Sequence, residues 1–264
     1  MRVVDLDRDM NDVIPTGSTR DSQYLFDRMT AETLALAGAE PGRRILDVAA
    51  GFGQDAVALA GSGAEVVACE PSARMTAWAQ LVASKQEGPQ PLWLRGWSDA
   101  LPFRADSFDA ALCKGAIDHF DRPEVAIEEM ARVTRREGRV ILAIANFESL
   151  ACRLARAQDR LRADVLGSTL RRGRRHYDVP ADHFTRYDLG LMRAQASRFL
   201  DLEVVRGISV GWGVPFWSRG VGKLPEVVAR GALQALDTLA RRAPEWADVV
   251  VLAGRPRRSA RTAR

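Results

Sequence analysis

The chain has 264 residues, 47% of them apolar and 27% charged, proportions that fit one α/β domain with insertions and a substantial core. No run approaches the ~18 apolar residues of a membrane helix, and the start, Met1 to Asp7, is acidic and lacks an apolar core. Integral membrane association and secretion are therefore not expected, and a cytoplasmic location is. The net charge of +4 is local in origin: the tail from Gly254 holds five arginines and no acid, residues 153–175 hold eight arginines and two acids, and the remainder is about −7. No DNA-binding surface is expected. Cys69, Cys113 and Cys152 have no zinc-type spacing and read as small buried residues.

Residues 1–40 read as an extended leader followed by a helix from Asp21 to Ala37, closed by Gly38. Arg44 to Val48 is a first strand, and Gly53 to Gly61 a helix ended by Gly61-Ser62-Gly63. Glu65 to Glu70 is a second strand. A helix is predicted from Pro71 to Ser84, with Pro71 in its first turn. Pro91 to Gly96 and Phe108 to Cys113 are further strands. Pro123 to Thr134 carries Val125, Ile127, Met130 and Val133 at near-helical spacing, and Glu137-Gly138 reads as the turn into a fifth strand, Arg139 to Ala145.

The alternation then breaks at an arginine-rich helical insertion (147–185). A helix from Tyr187 to Phe199 and a sixth strand from Leu202 to Ile208 follow. Next come an aromatic, glycine-rich loop with Trp212, Pro215, Phe216 and Trp217, a helix from Leu224 to Arg242, and a last strand from Asp248 to Gly254. Residues 209–243 form a second cover segment, and 255–264 a basic tail expected to be disordered. Seven strands, mostly continuous apolar runs separated by helices, predict an α/β fold. Its sheet is doubly wound, mostly parallel and covered by helices on both faces.

The first strand ends in Asp47-Val48-Ala49-Ala50-Gly51-Phe52-Gly53. Open α/β sheets bind ligands at the carboxyl ends of their strands, and glycines there let backbone approach a ligand closely. Gly51 to Ala56 satisfies the loose G-x-G-x-x-A pattern, which alone is weak evidence for a dinucleotide. Asp47, together with Asp55 in the next helix's first turn, would attract an ammonium group and repel a diphosphate.

Taken together with the acids that end the second strand and trail the third, Glu70 and Asp99, this stretch resembles the class I S-adenosylmethionine-dependent methyltransferases, in particular the small-molecule branch that includes the quinone-biosynthesis C-methylases. The resemblance runs from about Arg43 to Phe147 and implies a Rossmann-like sheet with S-adenosyl-L-methionine as cofactor. Asp47, Ala49, Gly51 and Gly53 match the acid-x-Gly-x-Gly-x-Gly motif, with Ala49 in place of the first glycine. Glu70, followed by Pro71, matches the acid that holds the ribose hydroxyls. Asp99, followed by Ala100, matches the acid that meets the adenine amino group. Lys114-Gly115-Ala116 would line the methionine end.

Methyl transfer from a sulfonium mainly needs positioning, with a general base only where the acceptor must lose a proton. Asp118 and His119 lie just past the fourth strand, and His119 is the better base by its ordinary pKa. His176 and His183, with Asp178 and Asp182, hint at metal binding, but they share a Pro-containing loop with no regular ligand spacing, and no metal site is expected. Trp212 to Trp217 is compatible with a flat or apolar acceptor, and Arg171 to Arg175 with an anionic group on it. The leading expectation is transfer of a methyl group to a small organic acceptor, on O, N or C. Alternatives are an RNA-directed methyltransferase, a nicotinamide-dependent oxidoreductase and a non-catalytic nucleotide-binding module. Cys113-Lys114-Gly115-Ala116 is neither a Pro-Pro-aromatic tetrad nor a Pro-Cys nucleophile, which weighs against a nucleic-acid acceptor.

Overall fold

Alternate residues of a strand face opposite sides of its sheet, so a strand apolar at every position needs cover on both faces. Arg44–Val48 (β1) is such a strand, buried at every residue after the first. In the computed structural model, which describes residues 19–166, 177–178, 183–214 and 216–257, β1 sends Ile45 to one core and Leu46 and Val48 to another. It pairs in parallel with Glu65–Cys69 (β2) on one side and Phe108–Lys114 (β4) on the other. Beyond β2 lies Leu92–Leu94 (β3), and beyond β4 lies Thr134–Ala145 (β5), both parallel. Val249–Pro256 (β7) then runs antiparallel between β5 and Leu200–Ile208 (β6). The seven strands stand in the order β3-β2-β1-β4-β5-β7-β6. Strand order therefore reverses between β1 and β4, and it is at the carboxyl ends of strands flanking such a point that open α/β sheets form their ligand crevice.

One core is closed by Ile127, Met130 and Val133 of Pro123–Val133 (α4) and by Met192 and Ala196 of Leu189–Ala196 (α6). The other is closed by Leu25 and Met29 of Arg20–Ala37 (α1) and by Ala56 and Leu59 of Gln54–Gly61 (α2). Ala73–Ala83 (α3) joins β2 to β3, and Leu150–Leu166 (α5) supplies the helix expected in the insertion. Among the described residues, no helix is long and apolar enough to cross a membrane.

Several boundaries differ from the sequence expectation, each for a local reason. α3 starts at Ala73 because the Ser72 hydroxyl accepts the Met75 amide at 3.1 Å and caps the helix; Pro71 precedes it rather than occupying its first turn. Glu137-Gly138 is not a turn before β5. The strand begins at Thr134 and bulges, pairing Phe108 with Thr134 but Ala110 with Arg139. Gly138 permits this, since a Cβ there would lie 2.6 Å from the Asp109 carbonyl oxygen.

A short helix, Trp217–Lys223 (α7), follows the expected loop, and the predicted helix 224–242 is Glu226–Arg242 (α8), with Pro225 as the break between the two. Trp217 thus opens a helix instead of lying in a loop. β7 runs on to Pro256, past the predicted start of the tail, because β6 offers it a ladder out to Leu200. Arg255 and Arg257 are held there by Glu203 at 2.7 Å and Asp201 at 2.8 Å. The leader 1–18, the arginines at 171–175, His176, Asp182, Pro215 and residues 258–264 lie outside the described residues.

Candidate functional site

The turn leaving β1 takes the left-handed backbone region three times, at Ala49 (φ 57°), Gly51 (φ 55°) and Gly53 (φ 72°). Gly53 caps α2 and donates its amide to the Ala50 carbonyl at 2.8 Å. It is the tightest point of the loop: a Cβ on it would sit 2.2 Å from the Trp93 ring. Gly51 and Gly115 are the opposite case, with nothing within 4 Å of where a Cβ would be. These two glycines face open space at the ends of β1 and β4.

Ala49 occupies a conformation that costs an ordinary L-residue about 1 kcal/mol or more. Ala49→Gly is expected to raise stability by roughly 0.5–1 kcal/mol, the relief of strain outweighing the extra freedom of the unfolded chain. A urea midpoint unchanged or lowered in the variant would show the turn to be unstrained.

Glu70 follows β2 and ties the crevice together. One carboxylate oxygen accepts the Gly51 amide and the other the Ser72 amide, both at 2.9 Å. The side chain is buried. Burial pushes its carboxyl above the usual range, and the two amide hydrogen bonds act against that push. Asp47 is also buried, at the end of β1. Burial first, and then the neighbouring Asp55 carboxylate, hold its carboxyl well above the ordinary value; Lys114 opposes them. Lys114, at the end of β4, puts its ammonium 2.7 Å from both Asp55 Oδ1 and Thr30 Oγ1 of α1. Asp47, Asp55, Glu70 and Lys114 leave an acidic balance around the loop.

Asp99 lies in the turn after β3, and its Oδ2 is 2.5 Å from the Arg122 guanidinium. Ala100 sits in the same turn, its amide on the Trp97 carbonyl at 3.2 Å. The Pro71 carbonyl, beside Glu70, accepts from Arg95 at 3.3 Å. Asp47, Ala49, Gly51, Gly53, Glu70 and Pro71 thus meet at the ends of β1 and β2, with Asp99 and Ala100 beyond β3 and Lys114 beyond β4.

His119 ends a 3-10 turn, Ile117–His119, just past β4, and is half-exposed. Its partner was not visible in the sequence. His183, from the segment entering α6, packs edge-on against the His119 ring with centroids 4.3 Å apart, and its Nδ1 lies 2.8 Å from Asp118 Oδ2. One donor atom from each of Asp118, His119 and His183 lies within 4.8 Å of the others. Nothing in local spacing links positions so far apart in the chain. A separate groove of about 850 Å³ between α1 and α8 is lined by side chains already in ion pairs, such as Arg28 with Asp237 at 3.2 Å, and includes none of the glycine-loop residues.

Residues 46–142 match the family model described as methyltransferase domain. The demethylmenaquinone methyltransferases of Renibacterium salmoninarum and Beutenbergia cavernae are 35% and 36% identical to this chain over 133 residues, half of this chain in each case. The chain spans about half the length of those curated relatives, 51% and 50%. Among solved structures, magnesium protoporphyrin IX methyltransferase from Synechocystis PCC 6803, with bound SAH, superposes with a TM-score of 0.57 at 16% identity, over 90% of this chain and 84% of that one. Residues 46–142 are thus similar to a methyltransferase domain, in a chain with the fold of the class I S-adenosylmethionine-dependent methyltransferases.

Proposed function

We propose that the chain transfers a methyl group from S-adenosyl-L-methionine to a small, quinone-like organic acceptor in the cytoplasm. The observation that carries this reading is the pair of buried acids, Asp47 and Glu70, at the ends of adjacent strands beside Gly51, which faces open space. A dinucleotide would bring a diphosphate against these acids, whereas an amino-acid nucleoside brings an ammonium and ribose hydroxyls.

When bound, the cofactor supplies a methyl group on a good leaving group. The residues of this chain do the rest. Glu70 still has lone pairs free beyond its two amide bonds and accepts the ribose hydroxyls. Asp47 faces the ammonium, and its carboxylate form binds. Gly51 gives close backbone approach, while Gly53, packed against Trp93, and Ala49 hold the turn that presents it. Pro71 borders the ribose, while Asp99 and Ala100 take the adenine edge. Lys114 steadies the methionine end by holding Asp55. His119, beside the crevice, accepts a proton where the acceptor must lose one. The likeness to demethylmenaquinone methyltransferases supports a quinone-like acceptor.

Calorimetry with the cofactor and with NADH is the direct test, followed by mass spectrometry of a demethylmenaquinol incubated with the enzyme. Cofactor binding without NADH binding, and a product heavier by one methylene, are expected. NADH binding alone would overturn the reading. Asp47→Ala should weaken cofactor binding by roughly 1.5–3 kcal/mol, the loss of a charged hydrogen bond. Unchanged affinity in the folded variant would remove Asp47 from the site.

A further inference from the structure

We propose that Asp118, His119 and His183 form a binding site for one first-row divalent cation, open toward the acceptor side of the crevice. One carboxylate and two imidazoles are a donor set that first-row metals take, and three protein donors leave coordination positions free. The site stands on geometry. Asp118 is 2% exposed, and its Oδ1 is buried with no hydrogen-bond partner. His183 Nδ1 is also buried without one, although it lies 2.8 Å from Asp118 Oδ2. The two atoms touch without the alignment of a hydrogen bond, as two donors aimed at a common third point do. An unpaired buried carboxylate oxygen costs on the order of 1–3 kcal/mol, and a cation at that point would satisfy it.

The backbone fixes this arrangement. The Asp118 carbonyl accepts the amides of Phe184 at 2.8 Å and Thr185 at 3.2 Å, clamping the His183 segment to the 3-10 turn. Donors ~2.0–2.2 Å from an ion stand roughly 3 Å apart, close to the observed 2.8 Å. His119 Nε2 is 4.0 Å from Asp118 Oδ1, and its side chain is 34% exposed. It closes the set by swinging inward about 1 Å, the difference between that distance and the ~3 Å expected of two ligands.

The alternative within the same residues is a base pair in which Asp118 orients His183. Such a pair needs an aligned Nδ1–H to carboxylate bond, and the contact lacks it. In the metal reading His119 holds a cation rather than a proton. What the ion does in catalysis rests on the methyl-transfer reading. An acceptor hydroxyl bound to it loses its proton to water, because the ion stabilises the oxyanion. The oxyanion's electron pair, directly or through the ring, forms the new bond to the methyl carbon. The S–CH3 bond breaks and its pair stays on sulfur.

The test is isothermal titration of the chelator-treated full chain with Co2+, with the visible spectrum recorded in parallel, and S-adenosylmethionine affinity measured on the same preparations. One Co2+ per chain is expected. Asp118→Asn and His183→Gln should each weaken it at least about tenfold, a loss that even outer-shell changes can cause, with cofactor affinity unchanged. His119→Gln, at a half-exposed position that should tolerate replacement, should also weaken Co2+ and covers the case in which a buried variant fails to fold. No stoichiometric Co2+ binding to the wild type, or equal binding by the folded variants, overturns the site. So does a methyl transfer insensitive to chelator but lost in His183→Gln, which would identify the base pair. Co2+ binding without cofactor binding would instead sink the methyl-transfer reading and leave the metal site standing.

Discussion

Asp248→Asn is expected to remove a large loss of stability that the wild-type chain suffers as pH rises toward 7. Asp248 immediately precedes β7 and is 5% exposed. Its Oδ2 accepts the Trp212 amide at 2.9 Å, and its Oδ1 is buried without a partner. Burial pushes the carboxyl up to about 7; hydrogen bonds from Trp212, Ser209 and Gly211 oppose the shift, and the Asp21 carboxylate adds to it. The unfolded carboxyl titrates near ~3.9. Between those two values the folded chain holds a proton that the unfolded chain has released. Stability from this group is therefore fully present below the unfolded value and is lost as pH climbs through the window to about 7. Three pKa units correspond to roughly 4 kcal/mol.

An asparagine carries no charge at either pH and keeps an oxygen for the Trp212 amide. Urea unfolding at pH 5 and pH 8 should show the wild type losing roughly 2–3 kcal/mol more than the variant between the two, the rest of the window lying below pH 5. Burial raises the carboxyls of Asp47 and Glu70 in the same direction, so the measured quantity is the difference in pH slope. Parallel slopes in the two proteins would show that Asp248 is ionised in the native state near neutrality.

Asp248 also shows where the sequence stops being informative. In the sequence it is one polar residue at the start of an apolar strand. What buries it is the arrangement of the 209–218 segment and the start of α1, which meet only in three dimensions; Asp21 of α1 accepts the Ser218 hydroxyl at 2.7 Å. Asp118 and His183 are the same case, since no local spacing joins them. By contrast, β1 and its glycine turn were readable residue by residue, because strand, acid, glycines and helix start are contiguous and each is fixed by its neighbours. Helices on both faces of the sheet followed from apolar runs that needed cover on each side. The misread boundaries fall where a residue read as a turn or loop former does something else: Gly138 permits a bulge where a turn was expected, and Trp217 opens a helix where a loop was expected. The flexibility suggested by the glycines around Trp217 is cancelled by packing, since Trp217 rests on the cluster of Val221, Ala229 and Leu233.

Glu70→Ala is expected to weaken cofactor binding more than any other single truncation in the crevice. The carboxylate is positioned before any ligand arrives, because the Gly51 and Ser72 amides each take one lone pair of a different oxygen at 2.9 Å. That leaves one acceptor site on each oxygen for a pair of ribose hydroxyls. Two charge-assisted hydrogen bonds at ~1.5–3 kcal/mol each amount to roughly 3–6 kcal/mol, a loss of more than about a hundredfold in affinity. The same truncation leaves two amides without acceptors, so the glycine turn and the start of α3 loosen, and stability falls by about 1–3 kcal/mol.

Glu70→Gln separates the two effects. Its amide NH2 must face one of the backbone N–H groups, donor against donor, while the other oxygen contact survives, so an intermediate affinity is expected. Since burial raises the Glu70 carboxyl, wild-type affinity should improve as pH rises through its titration, and the glutamine variant should lose that trend. A folded Glu70→Ala protein whose calorimetric affinity stays within about threefold of wild type, a difference under 1 kcal/mol, would place the ribose elsewhere. The acid at the end of β2 would then be a brace for the turn and nothing more.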